Sequence, residues 1–307
     1  MNNHLRPTVL ISALCGLFLL AGSSMAHAPL LSTYLGGSLQ EGNDDWVGFW
    51  STLDPWGNVI VVGMTTSSDF PSTGGAYDTE YDAGYDVYVA KLSADLSTLL
   101  AATYLGSAGD EEPWGVTCDQ SGNVYVSGVT TSTTFPTTLG AVQTSRSGAN
   151  DAFIAKLNNN LTTLLASTYL GGAGSEGWVR PGLDSDNHVF VVGTTSSNPF
   201  PTTPGSFDNS YGGNSDFFVA KLSGDLTSLD ASTYVGGTYR EIWPAITIDV
   251  SGSVVISGSS GSSNYPTSEG AYDRTLNGSP GNGFENLDVV VTRLDNNLSS
   301  LLSSTYK

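Results

Sequence analysis

Histidine and cysteine are almost absent from this chain of 307 residues. It contains three histidines and two cysteines, whereas a Ser-His-Asp or Cys-His arrangement needs a histidine as its base. Only His27, near the start, and His188, in a hairpin turn, could serve, and neither context suits a general base. An ordinary zinc site fails for the same shortage. The composition therefore predicts that the protein is not an enzyme of these classes.

Basic residues are also scarce. Ten Lys and Arg stand against 29 Asp and Glu, and Arg6 lies in an N-terminal leader, so the remainder carries a net charge of about −20. Nucleic acid and acidic membrane surfaces repel such a chain. We therefore expect no nucleic-acid partner.

Long hydrophobic runs are missing, since no stretch approaches the ~20 apolar residues that span a bilayer. The apolar run at 9–21 follows Arg6 and precedes small residues, which is the pattern of a secretion signal. We predict a signal peptide over 1–28, cleaved after Ala26 or Ala28, and prefer Ala26 because Pro29 would directly follow a cut at Ala28. The domain 29–307 would then be exported to the cell surface, the medium or the periplasm, without membrane insertion.

What the chain does contain is a repeat of 65 residues. The turn sequences "DPWGNV", "DQSGNV", "DSDNHV" and "DVSGSV" begin at Asp54, Asp119, Asp184 and Asp249. The phrases "FPSTGGA", "FPTTLGA", "FPTTPGS" and "YPTSEGA" begin at Phe70, Phe135, Phe200 and Tyr265. The strands "DVYVAKL", "DAFIAKL", "DFFVAKL" and "DVVVTRL" begin at Asp86, Asp151, Asp216 and Asp288. A fixed period of this kind predicts a repeat architecture.

Each copy predicts four short strands. The first and second are joined by the D-x-x-G turn, where Gly57, Gly122 and Gly252 supply positive φ and Asn187 is the tolerated exception. Runs such as "VFVVG" are apolar at every position, which is typical of strands covered on both faces. Helical signals are nearly absent. The pattern predicts an all-β fold, a β-propeller built from four-stranded antiparallel blades.

The "FPTT" phrase falls in the long link between the second and third strands. Its proline cannot pair in a ladder, and the preceding aromatic can pack on a blade. Because it recurs in every copy, we interpret it as scaffolding. By the same repeat alignment, Cys118 takes the place of Leu53, Leu183 and Ile248, which predicts a buried thiol with no disulfide partner.

These motifs together resemble the bacterial SBBP repeat, a family named for a presumed seven-bladed β-propeller. The resemblance rests on "STYLGG", "D-x-x-GNVYV-x-G", "FPTT-x-GA" and "DAF-x-AKL" and covers residues 32–306. The hairpin "VTCDQSGNVYVSG" is also similar to the first half of an NHL-repeat blade, which implies that the first strand lies beside the central channel. The resemblance implies an exported or cell-surface protein, and the family has no catalytic motif that could be assigned to this sequence.

Four blades are predicted, at approximately 38–104, 105–169, 170–234 and 235–306. The "LL-x-STY" strand occurs five times, counting residues 30–34, so a ring closed by its own first strand would have one strand too many. Either the chain is a fragment of a larger propeller, or it is a four-bladed ring with a surplus strand.

The links from the fourth strand to the next first strand and from the second to the third should emerge on one face. Both length changes fall in these links, five extra residues before Asp54 and seven before Asp288. The first of these links is also acidic in every copy, with Glu41, Asp44, Asp45, Asp110, Glu111, Glu112, Glu176 and Glu241. We hypothesise that Asp44, Asp45, Asp110, Glu111, Glu112, Glu176 and Glu241 mark a binding face. The alternative is a solvated acidic surface.

No cofactor is predicted, with calcium as the alternative. An acidic rim could recruit calcium, and "DTEYDAGYD" at 78–86 alternates oxygen ligands, although Ala83 stands where an EF-hand needs glycine. The aspartate and the base of the third strand, such as Asp86 and Lys91, recur together, and we expect a structural pairing there.

The first functional hypothesis is a non-catalytic exported scaffold that binds a protein or a glycan at the cell surface. Five tryptophans near the first links could anchor either partner, namely Trp46, Trp50, Trp114, Trp178 and Trp243. The second is a structural or adhesive spacer of a larger surface protein. The third is a carbohydrate-active enzyme that uses paired carboxylates.

Overall fold

The computed structural model describes residues 32–42 and 48–307. The predicted signal peptide, Asp44, Asp45 and Trp46 lie outside these residues. The chain divides into two units, Met1–Ser32 and Thr33–Lys307, and the second holds every strand given below. No helix in the described chain could span a bilayer.

Sixteen strands and one short 3-10 helix (Phe284–Asn286) form the described part of the chain. The first eight strands are β1 (Trp50–Leu53), β2 (Val59–Thr65), β3 (Gly84–Leu92), β4 (Leu99–Leu105), β5 (Gly109–Cys118), β6 (Val124–Thr130), β7 (Asp151–Leu157) and β8 (Leu164–Leu170). The others are β9 (Glu176–Leu183), β10 (Val189–Thr195), β11 (Asp216–Leu222), β12 (Leu229–Val235), β13 (Glu241–Ile248), β14 (Val254–Ser260), β15 (Asp288–Leu294) and β16 (Leu301–Tyr306).

Every four consecutive strands form one antiparallel meander, which we call a blade. Blade one is β1 to β4, blade two β5 to β8, blade three β9 to β12 and blade four β13 to β16. Short parallel pairings join the start of the third strand of one blade to the first strand of the next, as Tyr85 pairs with Asp110 and Ser215 with Arg240. The predicted all-β propeller architecture is confirmed.

The blades stack face to face, with the first strand of each innermost. The inner strands β1, β5, β9 and β13 contact one another in chain order. Between blades two and three, Ile154 and Ala220 belong to one buried cluster, and every residue of β10 is buried. Strands that are apolar at every position are therefore covered on both faces, as the sequence pattern predicts.

The ring of blades is open. Every extensive contact between described blades joins neighbours in chain order. On the outer face of blade four, Val289 and Val291 are 46% and 38% exposed, whereas their equivalents in blade three, Phe217 and Val219, are fully buried against blade four. The arrangement is that of a propeller fragment and not of a closed four-bladed ring.

The D-x-x-G turn closes the hairpin between the first two strands, as predicted. Asp54 Oδ1 accepts hydrogen bonds from the backbone N–H groups of Trp56 and Asn58, and Gly57 has φ +84°. Asn187 has φ +63° at the equivalent place. The turn carboxylate, and not the aspartate that opens the third strand, receives the recurrent base, because Lys91 Nζ lies 2.8 Å from Asp54 Oδ2. The expected pairing of Asp86 with Lys91 is therefore wrong.

The "FPTT" link fastens the outer strands of its blade. Phe135 is buried and its ring packs at a tilt on that of Phe153, with 4.6 Å between the ring centroids. The hydroxyl of Tyr169, in the "STY" segment of β8, donates to the carbonyl oxygen of Ser132 at 3.1 Å, and the same bond recurs in the other blades. The phrase therefore has the scaffolding contacts expected of it.

Replacing Tyr169 by Phe should destabilise the protein by about 1–2 kcal/mol, because the ring stays packed while a buried carbonyl loses its donor. Urea denaturation followed by fluorescence measures this change, and Tyr272→Phe is the control because that side chain is 89% exposed. Equal unfolding free energies for both variants would show that the bond contributes nothing.

Candidate functional site

The structure separates the acidic residues that were predicted to form one exposed rim. Asp110 is exposed and Glu112 is half-buried. Glu111 and Glu241 are 0% exposed and Glu176 is 3% exposed. These three glutamates are buried and cannot belong to an exposed rim. At these positions the structure differs from the expected exposed acidic face.

Each buried glutamate serves the junction between two blades. Glu176 opens β9, and its Oε1 accepts hydrogen bonds from the hydroxyls of Thr195 at 2.6 Å and Ser197 at 2.7 Å. Glu111 and Glu241 make the equivalent bond to Thr130 and Ser260, each at 2.6 Å. These bonds tie the start of the inner strand to the end of the second strand of the same blade.

The same glutamates face the aspartates that open the third strand of the preceding blade. A Cβ placed on Gly236 would lie 2.6 Å from Asp216 Oδ1 and 2.7 Å from Glu241 Oε2. Gly106 has the same relation to Asp86 and Glu111. Glycine follows the "TYL" or "TYV" segment at these places because the two carboxyl groups occupy the space that a side chain would need.

Burial raises the pKa values of several of these carboxyl groups. The pKa of Glu111 and of Glu176 rises to about 7 and that of Glu241 to about 8. The pKa of Asp216 rises to about 7 for the same reason, and its Oδ1 is buried without a hydrogen-bond partner. Carboxyl groups that share one buried site disfavour each other's ionisation, which favours the protonated form at these junctions.

The described residues contain no group of three or more His, Cys, Asp and Glu side chains that could hold a metal ion. In the segment 78–86, Asp78 Oδ1 accepts the N–H of Glu80 and Asp86 Oδ2 accepts that of Asp82. These carboxylates cap their own loop. The calcium alternative thus has no carboxylate cluster of that size in the described chain.

A groove of about 400 Å³ opens at the blade edge where these glutamates begin the inner strands. In blade three, the register pairs Glu176 with Thr195 and Thr195 with Asp216, so the start of the inner strand, the end of the second and the start of the third share this edge. The polar lining includes Glu112, Asn150, Thr194, Asn214, Ser215 and Arg240, and the aromatic lining is Trp114 and Trp178.

Bulges in the inner strands place the tryptophans. Trp114, Trp178 and Trp243 lie where the pairing of β5, β9 and β13 with the second strand shifts register. Trp178 has φ +49° and Trp243 has φ +56°, a conformation that is uncommon for a bulky side chain and is concentrated at functional sites. The rings of Trp114 and Trp178 lie 6.1 Å apart at 67°, so they present two differently oriented faces.

The insertion in blade four adds to this edge. Phe284 lies in the extended link between β14 and β15, stacks on Trp243 at 5.7 Å, and carries the guanidinium of Arg240 4.9 Å from its ring centroid. The variable link therefore reaches a residue that lines the groove.

A second cavity of about 460 Å³ lies at the opposite edge, beside the D-x-x-G turn of blade one and the turn between β7 and β8 of blade two. Its lining includes Trp56, which is 59% exposed, Asn58, Lys91 and Asn159. Lys91 is committed to Asp54 in an ion pair and also donates to Asn159. This cavity is a surface depression between two blades whose cation already has its partners.

The two remaining reactive side chains are occupied structurally. His188 Nδ1 lies 2.9 Å from Asp184 Oδ2 inside its hairpin turn. Cys118 is half-buried against the cluster between blades one and two, and burial raises the pKa of its thiol to about 12. Neither group is poised as a base or a nucleophile.

Comparisons with known proteins give a likeness of strand arrangement only. No family model matches the sequence, and no match is found among curated proteins. Among solved structures, a thermostable family-43 glycoside hydrolase matches with a TM-score of 0.44 and 11% identity, over 90% of this chain and 75% of the other. The hydrazine synthase of Kuenenia stuttgartiensis matches with a TM-score of 0.33 and 10% identity, over 89% and 66%. Likenesses this distant do not bear on what this chain does.

The sequence identified two tryptophans and two glutamates of the groove, Glu112 and Glu176, but not the rest of its lining. Trp114 and Trp178 were expected near a binding face and line the groove, whereas Trp50 lies behind Trp114 and donates its indole N–H to the carbonyl of Pro113. One sequence signal could have identified Asn150, Asn214 and Arg240, namely variation between copies. These residues stand at repeat positions beside Asp151, Asp216 and Glu241, where the residue type changes from copy to copy.

Proposed function

We propose that this chain is an exported, non-catalytic β-propeller module of the SBBP type that binds a glycan in the groove between the inner strands. The observation that carries the proposal is the groove of about 400 Å³ with Trp114 and Trp178 on its wall. This volume is in the range of small-molecule sites. Protein partners need a broader surface, of about 800 Å² on each side.

The chemistry of the lining also favours a sugar. Two tryptophan rings offer apolar faces for the C–H side of a pyranose, and Asn150, Asn214 and Thr194 offer paired donors and acceptors for hydroxyl groups. The contacts of the repeated "FPTT" and "STY" segments stabilise each blade. The side chains that differ between copies are the ones left to recognise a ligand.

A glycan array followed by titration calorimetry tests this proposal. We expect Trp178→Ala to weaken binding of the selected glycan at least about tenfold, because a stacked aromatic anchor is lost. Trp56→Ala is the matched control, since it removes an exposed tryptophan from the opposite cavity and should leave the affinity unchanged. If no glycan binds, the spacer hypothesis is favoured; if only Trp56→Ala weakens binding, the site lies at the other edge.

One observation favours a second candidate, hydrolysis of a glycosidic bond. Glu112 and Glu176 both line the groove, and burial raises the pKa of both. Glu176 is already engaged by Thr195, Ser197 and the neighbouring Asp151, so Glu112 is the better general acid. Release of reducing ends by the protein, lost in Glu112→Gln, would support this candidate over binding alone.

A further inference from the structure

Two arginines in this acidic chain have no acceptor among the described side chains and backbone. Lys91, Lys156 and Arg293 form ion pairs with turn aspartates, and Lys221 donates to Asn296. Arg146 and Arg274 also donate hydrogen bonds, to Ala149 and Thr267. Arg180 and Arg240 make only ring contacts, over Trp50 at 3.7 Å and over Phe284 at 4.9 Å.

Leaving a partly buried guanidinium unpaired is costly, and this chain has 29 carboxylates from which a partner could have been drawn. Stacking on a ring holds the plane of the guanidinium but leaves its edge N–H groups free to donate. Arg240 lines the groove, whereas Arg180 lies behind Trp50 and is not part of the lining. Arg240 is thus a fixed, half-buried cation whose donors are available to a ligand.

The neighbours of Arg240 suit a carboxylate on a sugar. Asn214 and Ser215 line the groove beside it, and Ser215 pairs with Arg240 through the backbone. Guanidinium and carboxylate match in a bidentate geometry. A net charge of about −20 repels polyanions, so a ligand with isolated charges on a largely neutral body fits better than a nucleic acid or a polyphosphate.

Resting on the proposed glycan-binding function, we infer that the groove selects oligosaccharides that contain a uronic acid, and that Arg240 binds the uronate carboxylate. Trp114 and Trp178 then hold the body of the sugar, and Arg240, fixed against Phe284 of the blade-four insertion, supplies the selectivity. The insertion thereby has a role that the other blades do not need.

Calorimetry at pH 7 with uronate trisaccharides and their methyl esters tests this inference. We expect the wild-type protein to bind at least one acid form about tenfold more tightly than its ester, because the ester cannot form the charged pair. Arg240→Gln should remove this preference by weakening binding of the acid form, while the ester still binds. Arg274→Gln, in the same insertion, is the control and should keep the preference.

The outcomes separate the two proposals. If the acid and the ester bind equally to the wild-type protein, or if only neutral glycans bind, uronate selection is wrong and glycan binding stands. If no glycan of either kind binds, both proposals are wrong. Retention of ester binding in Arg240→Gln shows that the variant is folded, and a preference that survives in this variant overturns the role of Arg240.

Discussion

Raising the pH from 5 to 8 should lower the free energy of unfolding of this protein by several kcal/mol. Burial raises the pKa values of five junction carboxyl groups to about 6 to 8 in the folded chain, against 3.8 to 4.5 in the unfolded one; they are Asp86, Glu111, Glu176, Asp216 and Glu241. The stability they contribute is fully present below pH 4.5 and is lost as the pH rises through about 7. Most proteins show no such loss between pH 5 and 8.

The size of this effect follows from the number of shared protons. A shift of one pKa unit corresponds to about 1.4 kcal/mol, so one proton held at each junction is worth about 3 kcal/mol. In turn aspartates such as Asp54 and Asp184, burial acts to raise the pKa but the hydrogen bonds together outweigh it, so the pKa is lowered. The stability that these groups contribute is lost as the pH falls below about 4. Stability should therefore be greatest at about pH 4 to 4.5.

The variant Asp216→Asn tests the origin of this pH dependence. Asp216 Oδ2 accepts the N–H of Gly212 at 2.7 Å, while Oδ1 faces Glu241, so an amide can keep the first bond and donate to the glutamate. We expect it to be more stable than the wild type by about 2 kcal/mol at pH 8 and equally stable within about 1 kcal/mol at pH 5. Urea denaturation at each pH measures both differences.

Asp186→Asn is the matched control, because Asp186 is an exposed turn residue. It should leave the pH profile unchanged. A wild-type protein whose stability is constant or rises between pH 5 and 8 would show that the junction carboxyl groups are not protonated in pairs.

The second large effect is expected from Gly236→Ala, which should destabilise the protein by about 3 kcal/mol or more. The added methyl group would meet three atoms of Asp216 and Glu241 at 2.6 to 2.7 Å, all of them fixed by the junction. Thermal and urea unfolding measure the loss. Gly74→Ala is the control, because nothing lies within 4 Å of that position, and it should change stability by less than about 1 kcal/mol. Equal stabilities of the two variants would mean that the carboxyl pair is displaced without cost.

Much of the fold was predictable because each local sequence pattern occurs several times, once in each copy of the repeat. Three glycines and one asparagine at the same turn position identify a hairpin that needs positive φ, and Asn187 adopts it. Continuous apolar strands indicate stacked blades. A residue that recurs in every copy usually supports the copy, and this rule, applied to the "FPTT" phrase, agrees with the structure.

The recurrence of three glutamates has the same structural meaning, although their charge predicts exposure. Glu111, Glu176 and Glu241 recur at the 65-residue period just as Phe135 does. Their charge suggested solvent, but only the tertiary structure shows that an aspartate of the preceding blade and a glycine complete a buried pair with each of them. Sequence separation of about 25 residues hides such a pair from local patterns.

The groove could be predicted only in part. Tryptophans near the inner strands indicated a binding surface. The register shifts at which Trp178 and Trp243 adopt positive φ depend on how the inner strand pairs with the second strand, which the sequence does not show. The contact between Arg240 and Phe284 depends on the path of an irregular link, which the repeat pattern does not predict. Sequence patterns do not predict the position of a side chain when that position depends on irregular backbone.

The most direct test of the account is a crystal structure of the protein grown with a bound uronate trisaccharide. We expect four stacked antiparallel blades with the sugar between Trp114 and Trp178 and its carboxylate on Arg240. Sugar density at the opposite edge beside Trp56, or inner strands that do not converge on a common groove, would contradict the account.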